Sequence, residues 1–289
     1  MSYRFVAAER AAFPVRTLCR VVGVAASGFY AWLRRRPSRR QAADRRVGER
    51  IGAIFEASRR TYGSPRVHAE LRAEGVRIGR KRVARLMREG GLTVARRRRR
   101  VPRTTDSRHD HPVAPNLLDR NFAAGRPDAV WLADLSYIPT GEGWLYLAAI
   151  KDLATREIVG WSMADHLRAE LACDALRMAL QRRQPPPGLI QHSDRGVQYA
   201  CKDYRAILAR HGIRQSMSRK GDCWDNAPME SFFGSLKTEL VHRTAFPTRE
   251  AAKRAIFEYV EAFYNRRRRH SGLGFLTPAQ AYEQMARAA

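Results

Sequence analysis

The sequence predicts a mixed α/β fold, a sheet flanked by helices, preceded by short helical modules. Two observations predict it. From Val130 onward, helical hydrophobic spacing gives way to short runs of aliphatic, aromatic and β-branched residues with turn signals between them. Charge is also unevenly divided. Residues 1–128 carry 31 basic and 11 acidic side chains, against 23 and 17 in residues 129–289. In a chain of 289 residues with formal net charge +26, a strongly basic first half predicts a nucleic-acid-gripping region attached to a compact domain.

Residues 1–43 read as an N-terminal helical region. Val15 to Val22 and Ser27 to Leu33 are helical runs separated by Gly23. They form either a small helix-turn-helix unit or a helical hairpin packed on the next domain. Residues 44–100 read as a helix-turn-helix-like basic domain. Val47, Ile51, Ile54 and Phe55 share one helix face. Ser64 is placed to cap a second helix whose first residue is Pro65. After Gly75 and Gly79, Arg80 to Glu89 forms a third helix with Val83, Leu86 and Met87 inward. Its other face shows Arg80, Lys81, Arg82, Arg85 and Arg88. A short basic helix after a turn suits a major-groove reader, and a solvated basic face is the plainer alternative. Arg96, Arg97 and Arg98 open a run of five arginines, which reads as an arm held to phosphates. Residues 101–128, with four prolines and few apolar residues, read as a linker.

Residues 129–245 form the α/β domain. Val130–Ile138, Trp144–Ile150 and Glu157–Met163 are three strands with short links, hence an antiparallel meander. The helical run Ala169–Arg183 ends at three consecutive prolines. A fourth strand covers Leu189–Ser193, a helix Tyr204–Arg210, and a fifth strand Ile213–Met217. The next helix starts near Asp225-Asn226 with Pro228 in its first turn and puts Phe233, Leu236 and Leu240 in the core. Residues 246–289 read as a C-terminal helical basic extension. Its helical run, Ala251 to Asn265, is followed by Arg266, Arg267 and the rest of a basic run to His270. That run is either a DNA-backbone contact or a solvated helix end suited to the helix dipole.

Cys19, Cys173, Cys201 and Cys223 are scattered and show no zinc spacing, which suggests a reducing compartment. Glu9 and Arg10 stand where a signal peptide needs an apolar core, and no run approaches a membrane span. The expectation is a cytoplasmic, nucleoid-associated protein with no membrane partner.

Three carboxylates stand out. Asp134 sits within the otherwise apolar run VWLADLSYI, Asp194 follows the fourth strand, and Glu230, separated from it by 35 residues, lies early in a helix. Taken singly, Asp134 reads equally as a salt-bridge partner, Asp194 as an Asx turn into Gly196, and Glu230 as an exposed helical acid. Brought together from separate elements they would make an oxygen-rich site suited to Mg²⁺, and beside basic modules that suggests chemistry on nucleic-acid phosphates. Lys237 lies two helical turns after Glu230 on the same face. His192, two residues before Asp194, could face the site but reads better as a hydrogen-bonded near-core histidine.

The segments WLADLSYI, HSDRGVQY, SMSRKGDCWDNAPMESFFGSLKTEL and YNRRRRHSGLGFLTPAQAY resemble bacterial insertion-sequence transposases of the DDE type, in particular the second-reading-frame (orfB) product. CRVVGVAASGFYAW and YGSPRVHAELRAEGVRIGRKRVARLM extend the resemblance over nearly the whole chain. The resemblance implies a ribonuclease-H-like integrase core and assigns catalysis and metal binding to Asp134, Asp194 and Glu230, with Lys237 near the bound DNA end. Arg219 and Lys220, in the same long motif, join the expected DNA contacts. It implies two Mg²⁺ ions, with Mn²⁺ as substitute, serving 3′-end cleavage and then strand transfer by transesterification. It implies as partners the element's terminal inverted repeats, target DNA, an upstream-frame orfA protein or fusion, and further copies of the chain on DNA. A stand-alone metal-dependent endonuclease and an inactive DNA-binding protein are the competing readings.

Overall fold

The computed structural model describes residues 2–94, 112–219 and 222–288, and the chain resolves into two compact units, residues 1–53 and 54–289. The first holds α1 (Ser2–Glu9), α2 (Val15–Val21) and α3 (Ala26–Leu33) around buried Val6, Leu18, Cys19 and Phe29. The two expected helices are present, and α1 precedes them unforeseen. Gly23 turns the chain between α2 and α3 at φ +67°, where a Cβ would be strained. The long helix α4 (Arg39–Ala57) buries Ile51, Ile54 and Phe55, as its spacing predicts.

In the second unit α5 (Ser64–Ala73) and α6 (Arg80–Glu89) follow. Ser64 does not cap α5. The N-cap is Gly63, with no side-chain bond, and Ser64 is itself helical, so Pro65 falls within the first turn, where its missing N–H costs nothing. α6 buries Val83, Leu86 and Met87, and His68 Nε2 lies 3.0 Å from the Ile78 carbonyl, which pins the intervening turn.

The sheet comprises β1 (Val130–Thr140), β2 (Gly143–Asp152), β3 (Ile158–Ala164), β4 (Ile190–Ser193) and β5 (Arg214–Met217), in the order β3-β2-β1-β4-β5. β1 to β3 form the expected antiparallel meander. β4 and β5 join parallel, so each needs a helical crossover. α7 (Ala169–Arg183) leads to β4; α8 (Val197–Ala200) and α9 (Lys202–Arg210) lead to β5. Trp131, Ala133, Ile150 and Val159 form one core with Leu171, Ala175, Leu176 and Ala179 of α7. The contact at Gly160 is close: a Cβ there would lie 2.3 Å from the Ala175 carbonyl oxygen and 2.8 Å from the Ala179 nitrogen.

The described part of the expected linker is fastened down. The Leu117 N–H donates to Ser216 Oγ at 2.9 Å, and the Met217 N–H reaches the Pro115 carbonyl at 3.4 Å, so this segment lies along β5. At the other edge Asn265 covers β3: its Oδ1 accepts from the Ile158 N–H at 2.9 Å and its Nδ2 donates to the Ile158 carbonyl at 3.0 Å. A single side chain thus serves both ladder groups of an edge residue, as a neighbouring strand would.

α10 (Ala227–Glu239), preceded by a 3₁₀ turn at Cys223–Asn226, buries Phe232, Phe233 and Leu236. The expected helix Ala251–Asn265 is α11 (Arg249–Phe257) continued by a π-helical stretch, Glu258–Tyr264; α12 (Pro278–Ala288) follows. The basic run after the π-helix is split. Arg266 and Arg267 are exposed. Arg268 turns inward to Glu239, and Arg269 to Glu70 at 2.7 Å. The Tyr62 hydroxyl donates to the Arg267 carbonyl at 2.9 Å and accepts from the Arg269 N–H at 2.7 Å, so the α5–α6 module is tied to the extension. Among the described residues, no helix is long and apolar enough to cross a membrane.

Candidate active site

β1 and β4 are parallel neighbours, with Leu132 opposite His192. Two residues beyond that pair each strand delivers an acid, Asp134 and Asp194, at the same level of the sheet. Asp134 Oδ1 accepts from the Leu135 N–H at 2.8 Å, and Asp194 Oδ1 from the Gly196 N–H at 2.9 Å, the Asx turn its sequence suggests. A Cβ on Gly196 would stand 3.0 Å from that carboxylate oxygen, so glycine leaves Asp194 its room.

Glu230 arrives on α10, whose start is fastened at two points. Asn226 Nδ2 donates to the Ala133 carbonyl at 3.1 Å, next to Asp134. The buried Lys151 Nζ donates to the Pro228 carbonyl at 3.0 Å. Burial pushes the Lys151 pKa well down, with Arg156 and Arg268 adding repulsion. Neither anchor was legible in the sequence. Asn226 reads only as a helix start, and nothing in the sequence singles out Lys151.

The acids meet electrostatically. Asp134 keeps some exposed surface, yet lost hydration is the largest cause of a pKa raised well above the usual carboxylate range. The charge of Asp194 raises it further, the Leu135 N–H lowers it, Glu230 raises it, and Lys237 lowers it. Conversely, burial lowers the Lys237 pKa and Asp134 supports its charge. The fold therefore gathers Asp134, Asp194, Glu230 and Lys237 within mutual electrostatic reach. It does not present a finished ion cage: among the described residues, no three His, Cys, Asp or Glu side chains are already grouped to hold a metal. Two of the three acids instead turn an oxygen onto backbone N–H groups. All three offer hard oxygen donors in a place where like charges repel, a donor set that fits a divalent cation such as Mg²⁺.

His192 supports the site from inside. It is fully buried, with Nδ1 2.8 Å from Ser216 Oγ and Nε2 3.1 Å from Ser218 Oγ, and burial pushes its pKa down to about 4. Those two bonds commit both ring nitrogens to serine hydroxyls.

Of the expected DNA contacts, Lys237 is the one whose charge is recorded against Asp134. Arg80 and Lys81 are exposed on α6; Arg82 and Arg85 are half-buried, and Arg85 pairs with Glu89 at 2.9 Å. Arg96, Arg97, Arg98 and Lys220 lie outside the described residues. Arg219 is exposed and is at the same time engaged within the fold. Its backbone N–H, Nε and terminal nitrogen all reach the buried Asp225, at 2.8, 3.0 and 2.7 Å. Arg120 and Asn116 bind the same carboxylate at 3.0 and 3.1 Å. The Arg219 bonds, with help from Arg120, hold the Asp225 pKa below the usual range despite burial. The physical reason is local. A buried carboxylate six residues on needs cations, and Arg219 is the nearest one.

Residues 124–223 match the family described as "Integrase core domain", residues 211–278 a second family of the same description, and residues 42–100 one described as "HTH-like domain". The chain is 49% identical over 272 residues to the "Insertion element IS600 uncharacterized 31 kDa protein" of Shigella sonnei, which covers 93% of this chain and 100% of that protein. It is 45% identical over 282 residues to "Transposase InsF for insertion sequence IS3A" of Escherichia coli (strain K12), over 97% of this chain and 98% of that protein. A more distant likeness, at 16% identity and TM-score 0.41, is to the HTLV-2 integrase catalytic core domain in complex with magnesium, over 54% of this chain and 97% of that one.

Proposed function

The chain belongs to the IS3-type insertion-sequence transposases, with an integrase core and an HTH-like domain, and from that premise we propose that Asp134, Asp194 and Glu230 are its catalytic carboxylates. The observation that carries this reading is the β1–β4 register, which brings Asp134 and Asp194 to one level of the sheet, with the start of the Glu230 helix fastened through Asn226 to the Ala133 carbonyl beside them.

The three carboxylates would hold Mg²⁺, two ions per site, with Mn²⁺ as a substitute. Bound there, the metal would supply Lewis acidity, easing deprotonation of the attacking oxygen and stabilising the leaving one. In the first reaction, water attacks the phosphorus at the element's end, the bond to the 3′-oxygen breaks, and a 3′-hydroxyl is freed. In the second, that hydroxyl attacks a target phosphorus, a new phosphodiester forms, and the target's own 3′-oxygen leaves. One phosphodiester replaces another in this step.

The chain's own groups have distinct tasks. Lys237 offers a positive charge beside Asp134, placed for a phosphate of the bound end. Asn226 and Lys151 fix the helix that carries Glu230. His192, held neutral between two serines, supports the strand without taking a proton. Outward-facing Arg80 and Lys81 on α6, with Arg266 and Arg267, are suited to DNA backbone, and Arg219, exposed while it holds Asp225, is suited to the same role. An orfA product and further copies of this chain are the partners proposed for assembly on the terminal repeats.

Asp134→Asn, Asp194→Asn and Glu230→Gln test the assignment on labelled element ends with Mg²⁺. Each should abolish both end cleavage and joining. If any of the three cleaves like the unaltered protein, that residue's role is wrong. Cleavage without joining would favour the stand-alone endonuclease reading.

A further inference from the structure

A second feature lies alongside α10, away from the acids. A solvent-open cleft of about 600 Å³ is lined by Arg60, Arg66 and Arg243 and by Ser231, Ser235 and Thr238 of α10. These three α10 residues follow the i, i+4, i+7 spacing of one helical stripe. The stripe is displaced by one position from Glu230 and Lys237, about 100° round the helix. A polymer crossing α10 could touch both.

The charge balance of the cleft is positive. Glu239 also lines it, but both its oxygens are committed to Arg268, and Oε2 also accepts from the Tyr259 hydroxyl at 2.8 Å. Arg60 pairs with Glu56 at 3.1 Å, both side chains being more than half exposed, so the pair is weak and yields readily. Arg243 gives one nitrogen to the Arg59 carbonyl at 2.6 Å and is otherwise exposed.

Arg66 is the most telling. Its guanidinium lies 5.6 Å from the centre of the Tyr62 ring, and among the described residues it makes no hydrogen bond and no ion pair. Burial and the nearby Arg268 both press its pKa down. A partly desolvated guanidinium without an acceptor is costly unless an anion completes it.

We infer that this cleft binds a backbone phosphate of DNA lying along α10, with Arg66 as the principal contact, Arg243 beside it and the hydroxyls of Ser231 and Thr238 as further donors; Ser235 Oγ already donates to the Ser231 carbonyl at 3.0 Å. The inference rests on the DNA-processing reading above. It makes the junction between the helix-turn-helix-like module and the catalytic helix a DNA-gripping surface, since Arg66 belongs to α5 and the hydroxyls to α10.

The test uses the full chain, a short labelled duplex of arbitrary sequence, and EDTA, so that no metal chemistry enters. Binding is followed by fluorescence anisotropy across a salt series. Each lost phosphate contact removes about 0.9 from the slope of log K on log salt concentration. Arg66→Gln and Arg243→Gln should each lower that slope by about 1 and weaken binding several-fold at low salt. Arg66→Lys should keep the slope, because the charge remains. Thr238→Glu should weaken binding in the same direction. If Arg66→Gln fails to fold, Arg243→Gln and Thr238→Glu still decide the matter. Folded Arg66→Gln and Arg243→Gln proteins that bind with the unaltered slope and affinity would overturn the inference. If the arginine variants lose affinity while Asp134→Asn still cleaves with Mg²⁺, the catalytic assignment fails while the cleft stands.

Discussion

Replacing Arg268 with Met should cost the protein more than any exposed arginine could. Arg268 and Glu239 have side-chain exposures of 5% and 10%. Arg268 Nε lies 2.8 and 3.2 Å from the two Glu239 oxygens, its terminal nitrogen lies 2.6 Å from one of them, and the same nitrogen reaches Ser235 Oγ at 3.2 Å. Burial alone would lower the Arg268 pKa; its bonds to Glu239 outweigh that and keep the guanidinium charged. Arg268→Met leaves Glu239 buried without its cation, at a cost of about 3–5 kcal/mol. At roughly 2–4 °C per kcal/mol for a chain of this size class, Tm should fall on the order of 10 °C. Glu239→Leu should cost a similar amount, since it also removes the acceptor of the Tyr259 hydroxyl. The double variant should recover much of the loss, because two apolar side chains then fill the site of a buried ion pair. Thermal and urea melts of all four proteins close the cycle. If either single variant costs less than about 1 kcal/mol, the pair behaves like a surface pair and the burial argument is wrong.

Three further predictions follow from the same physics. Asp134→Asn should raise Tm in EDTA while removing cleavage, because an acid whose pKa is raised by burial and like charges is destabilising when ionised at neutral pH; added Mg²⁺ should raise Tm for the unaltered protein and not for this variant. His192 and His270 are held neutral, chiefly by burial, with pKa values pushed down from 6.5 to about 4 and about 2. Their contribution is complete above the unfolded pKa and is lost as pH falls below it, by up to about 1.4 kcal/mol per pH unit for each histidine, so Tm should be level near neutrality and drop below about pH 6; a histidine-to-phenylalanine change at 270 that leaves the slope unchanged would count against this. Gly160→Ala should destabilise by about 1–3 kcal/mol, since its Cβ meets α7 backbone and not a movable side chain, and a melt within experimental error of the unaltered protein would refute the close approach.

Much of the fold was legible because its elements are locally encoded. The meander carries its own turn signals, and α7 spans Ala169–Arg183 as read. The acids were legible as a set because strand and helix placement ordered them, with the family resemblance naming all three. The rest depends on contacts distant in sequence. Ile158 gives no hint that Asn265 will complete its hydrogen bonds, nor Pro228 that Lys151 will hold its carbonyl. Nor does the sequence around Arg219 show that its side chain also reaches a buried partner, Asp225. The basic run at 266–269 shows the same limit. Four identical letters conceal two outward and two inward side chains.

What separates those arginines is phase. The π-helical stretch Glu258–Tyr264 carries the chain with more residues per turn than an α-helix just before the run begins. Each residue added to or taken from a helix rotates everything downstream by about 100°. A one-residue deletion within that stretch would re-index the arginines without changing any of them, so that the positions now facing Glu239 and Glu70 would swing toward solvent. The π-turn thus works as a vernier between two halves of the molecule: it sets which members of a uniform basic run become rivets and which stay at the surface. Selection on that rotation would leave no trace in composition and would show only as an intolerance to length change.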